Sequence, residues 1–141
     1  MNLLILTIPL FSSLNLLLFS RYIGFKGAKF ISISSLIINV IISIKILLDN
    51  LQSSLTNKIN IYNWLNIGII NNDYEIIYDK QNIVMINLIS IVTLIVVYYS
   101  FWYLDGDPHI TRFISYLLLF AFTMYLLVLS NNFILMFGGW E

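Results

Sequence analysis

Four ionisable side chains near the end of the sequence are candidates for chemistry: Asp107, His109, Arg112 and Glu141. Glu141 is the only charged residue after Arg112, and the residues between them are apolar, small or uncharged. An ionisable group inside an apolar membrane segment is costly and usually marks a transport or proton-transfer site. The sequence therefore predicts that Glu141 acts as a proton relay.

The other three candidates surround a predicted helix start. Asp107 has the side chain of an N-cap, and Pro108 is typical of the first helical position. His109 and Arg112 would follow in the first turns, where a cation opposes the helix dipole and needs an acidic or phosphate partner. We interpret Arg112 as an interface anchor or as a residue that positions a partner subunit. His109 is a candidate for proton entry, and a single histidine predicts no metal site.

Composition places the chain in a membrane. It is 60% hydrophobic and 10% charged, whereas soluble domains carry about 25% charged residues. The formal net charge of zero gives no indication of a nucleic-acid partner. Because cysteine is absent, this chain cannot ligate an iron–sulfur cluster through thiolates.

The apolar runs predict an all-α membrane protein that forms a single membrane domain over residues 1–141. Each of four runs is long enough to span a bilayer, and a fifth would reach about halfway across it. The predicted spans are Leu3–Phe19, Phe30–Leu48, Ile83–Leu104 and Pro108–Leu129, with a half-span at 132–141.

The connections between these runs predict the topology. Arg21–Lys29 is expected to be a short basic loop, and such loops stay on the inner side, so the N-terminus would lie on the outer side. The polar stretch before the third span alternates over Ile59–Ile67 and Tyr74–Tyr78. This alternation predicts a β-hairpin that turns at Asn71–Asp73; the alternative is an unstructured loop held by partners.

Polar residues inside the predicted spans have a structural explanation. Ser12, Ser13, Asn15 and Asn39 are expected to form hydrogen bonds with neighbouring helices.

The depth of Glu141 follows from helix geometry. It comes nine residues after Asn132, the expected cap of the last helix, and so would lie roughly 13–14 Å deep in a hydrocarbon core ~30 Å thick. Gly138 and Gly139 just before it would let a neighbouring helix or water approach.

The same region resembles a known family. Tyr99-Ser100, Asp107-Pro108-His109, Arg112-Phe113 and Gly139-Trp140-Glu141 are similar to a pattern in chain 5 of NADH:ubiquinone oxidoreductase, the distal antiporter-like subunit of respiratory complex I. The resemblance is strongest from Tyr99 to Glu141 and covers only the front part of a chain several times longer.

The resemblance implies a proton-translocating subunit that couples quinone reduction elsewhere in the complex to proton pumping. It implies that Glu141 pairs with a lysine on a later helix, absent from this sequence. FMN and iron–sulfur clusters are expected in other subunits, with no cofactor in this chain. Expected partners are other complex I membrane subunits, lipids such as cardiolipin, and a second polypeptide that carries the rest of chain 5. The expected location is the mitochondrial inner membrane, or the bacterial inner membrane if the chain is not organellar.

Two other functions are compatible with the residues. A cation/proton antiporter subunit would share the membrane glutamate without belonging to a redox enzyme. A small structural membrane protein would have no transport role, and substitution of Glu141 by Gln would then be silent.

Overall fold

The computed structural model describes residues 3–52, 57–67 and 70–141, with side chains at 3–20, 22–50 and 75–141. The described part contains five helices and one two-stranded antiparallel sheet, so the predicted all-α membrane fold with a hairpin insertion is confirmed. The elements are α1 (Leu4–Ser20), α2 (Tyr22–Asn50), β1 (Asn57–Ile67), β2 (Ile70–Tyr78), α3 (Lys80–Tyr103), α4 (Ile110–Leu129) and α5 (Phe133–Trp140).

Helices α2, α3 and α4 are each long and apolar enough to cross a bilayer, and α1 is a shorter apolar helix. Helices α3, α4 and α5 lie within three residues of their predicted bounds. Helix α2 begins eight residues before the predicted Phe30. The division of the chain into membrane spans stays a prediction.

The early start of α2 corrects the predicted Arg21–Lys29 loop. Helical structure runs over Leu4–Gln52, and only Phe19 and Gly24 have non-helical torsions. Gly24 has φ 62°, a left-handed conformation that glycine adopts without steric cost. The reversal between α1 and α2 is therefore short. Lysine is a good helix former, and Lys26 and Lys29 lie in the first turns of α2 rather than in a loop.

Helices α1 to α4 form an up-and-down bundle with two separate apolar clusters. Each cluster combines the end of one helix with the start of the next, as antiparallel neighbours require. The hairpin-end cluster contains Ile5, Leu6, Ile46, Ile76, Tyr78, Ile83, Ile86, Ile89, Ala121, Tyr125 and Leu129. The turn-end cluster contains Leu16, Ala28, Leu36, Val97, Phe101, Ile110, Ile114 and Leu118.

The hairpin is present, but its turn is not at Asn71–Asp73. These residues lie in β2, and the register pairs Ile67 with Ile70. The strands therefore meet at the Ile67–Ile70 pair, and positions 68–69 lie outside the described residues.

The hairpin is attached to the connection between α4 and α5. Ile76 forms an isolated β-bridge with Ser130. The Asn131 backbone N–H donates to the Glu75 carbonyl at 3.3 Å, and the Asn131 side-chain amide donates to the Glu75 carboxylate at 2.6 Å. The start of α5 is thereby fixed against the hairpin.

Candidate functional site

Glu141 comes directly after α5, an apolar helix of eight residues. The helix begins where Met136 N–H donates to the Asn132 carbonyl at 3.0 Å, and ends where Glu141 N–H donates to the Phe137 carbonyl at 3.0 Å. Asn132 occupies the predicted N-cap position, but its side chain makes no capping hydrogen bond. Eight residues rise ~12 Å, so α5 carries Glu141 away from the hairpin end and along the bundle.

The two glycines before Glu141 have different surroundings. A Cβ on Gly139 would lie 2.9 Å from the Leu127 backbone nitrogen and 3.1 Å from Leu127 Cα. A Cβ on Gly138 would meet no atom within 4 Å. Gly139 therefore allows α5 to pack directly against the α4 backbone, whereas Gly138 faces away from it.

This packing creates a groove beside Glu141 with a volume of about 450 Å³. One wall is the exposed face of α4, and the other is the end of α5. None of the described residues that line it is basic, and its polar side chains besides Glu141 are Tyr116 and Thr123. The lining comprises Tyr116, Leu119, Phe120, Thr123, Met124, Leu127, Gly139, Trp140 and Glu141.

Asp107 and His109 line a different groove, of about 420 Å³, at the opposite end of α4. The Asp107 carboxylate accepts a hydrogen bond from the His109 backbone N–H at 3.1 Å. Regular helix begins at Ile110 with His109 in the N-cap position, two residues later than predicted. The Asp107 side chain still bonds the second N–H after it, as an N-cap does, because the first turn is not regular α-helix.

Arg112 lines neither groove and lies on an exposed part of α4, one turn before Tyr116. Positions 112, 116, 119 and 123 share one face of the helix, so Arg112 extends the face that borders Glu141. Eleven residues separate Arg112 from Thr123, or roughly 16 Å along the axis. The structure brings Asp107 and His109 together and leaves both, with Arg112, apart from Glu141.

Tyr116 and Thr123 are groove residues that the sequence did not single out as candidate site residues. Their spacing of seven places them on one helix face, a signal that is visible in the sequence. The spacing alone does not identify a site, because the groove forms only where α5 packs against that face. The Thr123 hydroxyl donates to the Phe120 carbonyl at 2.8 Å. Thr123 Oγ1 can still accept a hydrogen bond from a donor in the groove.

Comparison with known proteins gives the family. Residues 64–114 match the family described as NADH-Ubiquinone oxidoreductase (complex I), chain 5 N-terminus. The chain is 40% identical to NADH-ubiquinone oxidoreductase chain 5 of Allomyces macrogynus, with 100% of this chain and 22% of the relative aligned. It is 38% identical to the Metridium senile protein of the same name, over 100% of this chain and 24% of the relative. The Phytophthora infestans protein is 36% identical over 95% of this chain and 20% of the relative.

The chain is similar over its whole length to NADH-ubiquinone oxidoreductase chain 5 proteins. It spans about a fifth to a quarter of the length of these relatives. The family match includes Asp107, His109 and Arg112 and ends before Glu141, whereas two of the three alignments include the whole chain and hence Glu141. This similarity and the apolar helices show a multi-pass membrane protein.

Proposed function

We propose that this chain takes part in proton translocation by NADH:ubiquinone oxidoreductase, and that Glu141 is its protonatable group. The observation that carries the proposal is the position of Glu141, at the end of an apolar helix and beside a groove whose described lining is apolar or hydroxyl-bearing. The similarity to chain 5 relatives favours this function over a free-standing antiporter subunit or a structural protein.

The groove suits a group that must alternate between two charge states. Removal of water disfavours the charged form of a carboxyl group, and an approaching cation favours it. A cation that moves toward and away from a carboxyl group can therefore change its charge state, which is what a proton relay requires. No described residue of the groove is basic, and we propose that the cation belongs to another part of the complex.

Other subunits of the complex would supply the redox chemistry. We propose that those subunits carry out the quinone reaction and hold FMN and the iron–sulfur clusters. We also propose that the membrane partners of this chain are other subunits of complex I. The mitochondrial inner membrane is the proposed location.

The residues at the turn end of the bundle have proposed roles at the membrane surface. His109 and Asp107 share an exposed groove and are placed to exchange protons with water. Arg112, Lys26 and Lys29 are exposed cations that suit the phosphates of an anionic lipid such as cardiolipin.

The proposed orientation places the turn end inside and the hairpin end outside. The chain has no cysteine, so single cysteines can be labelled without background. Lys26→Cys should react with a membrane-impermeant maleimide only from the matrix or cytoplasmic side. Lys80→Cys, at the hairpin end, should react only from the opposite side. Labelling of the Lys26 variant from the outer side would reverse the topology.

The assignment to complex I is tested by co-purification. An affinity-tagged chain isolated from solubilised membranes should carry NADH:ubiquinone reductase activity, and its yield of activity should follow the amount of tagged chain. A tagged, unrelated multi-pass protein from the same membranes serves as the control. Recovery of the tagged chain without this activity would favour the antiporter or the structural function.

A further inference from the structure

A polar layer separates the two apolar clusters of the bundle. On α2, Asn39 and Ser43 lie between Leu36 of the turn-end cluster and Ile46 of the hairpin-end cluster. On α1, Ser12 and Ser13 lie between Leu6 of the hairpin-end cluster and Leu16 of the turn-end cluster. On α3, Asn87 and Ser90 are buried on either side of Ile89, the last member of the hairpin-end cluster on that helix. The layer consists of Ser12, Ser13, Asn39, Ser43, Asn87 and Ser90.

Most of this layer forms hydrogen bonds within the protein. Ser12 and Ser13 donate to carbonyls of their own helix, at 3.0 and 2.8 Å, rather than to another helix as predicted. Ser43, Asn87 and Ser90 join α2 to α3. Ser43 Oγ lies 3.1 Å from Asn87 Oδ1 and 3.0 Å from Ser90 Oγ, and the Asn87 amide donates to the Ser43 carbonyl at 3.0 Å.

Asn39 is the exception. It is fully buried, and neither its amide nitrogen nor its amide oxygen has a hydrogen-bond partner among the described residues. The predicted bond from Asn39 to another helix is therefore wrong for the part of the chain that the structure describes, where its amide reaches no polar group. A buried amide without partners is strongly disfavoured, most of all where the surroundings are hydrocarbon.

The network beside Asn39 is also short of proton donors. Each serine hydroxyl has one hydrogen, yet Ser43 Oγ lies within hydrogen-bond distance of the Val40 carbonyl, Asn87 Oδ1 and Ser90 Oγ. Only one of these contacts can use its hydrogen. Tyr125 is fully buried, and its hydroxyl interacts with Ser90 but forms no hydrogen bond of good geometry with a described residue. Additional donors would complete this arrangement.

We propose that the polar layer binds internal water, held by the Asn39 amide and reaching the Tyr125 hydroxyl. Water supplies two donors and two acceptors, and buried waters in proteins typically bond otherwise unsatisfied polar groups. No side chain of a partner can take this role, because Asn39 is fully enclosed by its own chain. Counted from Lys80, the level of Ser90 is ~15 Å into α3, so the water would lie near the middle of the bilayer. This site is distinct from the Glu141 groove and does not depend on its function.

The test is radiolytic hydroxyl-radical labelling of the full chain in its native membrane in H₂¹⁸O, read by mass spectrometry. Bound water generates radicals beside it, so Tyr125 should be labelled several-fold faster than Tyr78, which is equally buried. Asn39→Leu should remove this difference, and Asn39→Ser, which keeps a polar group and leaves more room, should retain it. A high-resolution map from electron cryo-microscopy should show density within hydrogen-bond distance of the Asn39 amide.

Two results would overturn the site. One is Tyr125 labelled no faster than Tyr78 in the unsubstituted chain, with the Asn39 amide bonded to helix backbone in the map. The other is unchanged labelling of Tyr125 in Asn39→Leu. If Asn39→Leu fails to accumulate, the unsubstituted chain and Asn39→Ser still decide the question.

Discussion

Glu141→Gln should remove the proton flux that passes through Glu141 while leaving assembly intact. Glutamine has nearly the same volume and keeps the hydrogen-bonding capacity, but it cannot bind and release a proton at physiological pH. The number of protons translocated per electron pair should therefore fall by the number that normally passes through Glu141. Proton uptake by reconstituted vesicles, measured together with NADH oxidation, gives that ratio.

Three matched measurements make the Glu141 result interpretable. Glu141→Asp keeps a titratable carboxyl group and should retain part of the flux. Asp105→Asn removes an exposed carboxylate at the turn end, away from the groove, and should leave the ratio unchanged. Native gels should show equal amounts of assembled complex in all variants. An unchanged ratio in Glu141→Gln would exclude the relay and leave a structural carboxylate.

The sequence predicted the features of this chain that local chemistry determines. Apolar run length gave the helices, and the position of Glu141 in an otherwise uncharged region marked the candidate site. Alternation within 50–82 gave a hairpin. Each of these signals is contained in a short stretch of sequence, so it does not depend on how the helices pack.

The features it missed depend on contacts between distant segments. Gly24 makes the reversal between α1 and α2 short. The composition of Arg21–Lys29 does not indicate this. The attachment of Asn131 to Glu75 joins positions far apart in the chain. The position of Asn39 in the middle of its span predicted a hydrogen bond to another helix. Whether a buried amide finds a partner depends on the three-dimensional positions of other polar groups, which the sequence does not contain.

The packing of Gly139 against α4 leads to the second large effect, in Gly139→Ala. The added methyl group would lie 2.9 Å from the Leu127 nitrogen and 3.1 Å from both Leu127 Cα and Leu126 Cδ2. Backbone atoms cannot move aside as a flexible side-chain end can, so α5 has to shift. Overpacking of this kind costs about 1–3 kcal/mol, and the shift would displace Glu141 from the groove. We expect a lower thermal stability and a lower proton-to-electron ratio.

Gly138→Ala is the matched control for Gly139→Ala, since it adds the same methyl group one position earlier. Nothing lies within 4 Å of that methyl, and alanine favours helix over glycine by up to ~1 kcal/mol, so stability should be equal or higher. The rate at which a hydrophobic carbodiimide modifies Glu141, followed by mass spectrometry, reports the surroundings of the carboxyl group in both variants. That rate should change in Gly139→Ala and stay constant in Gly138→Ala. Equal behaviour of the two variants would show that contact with the α4 backbone does not position Glu141.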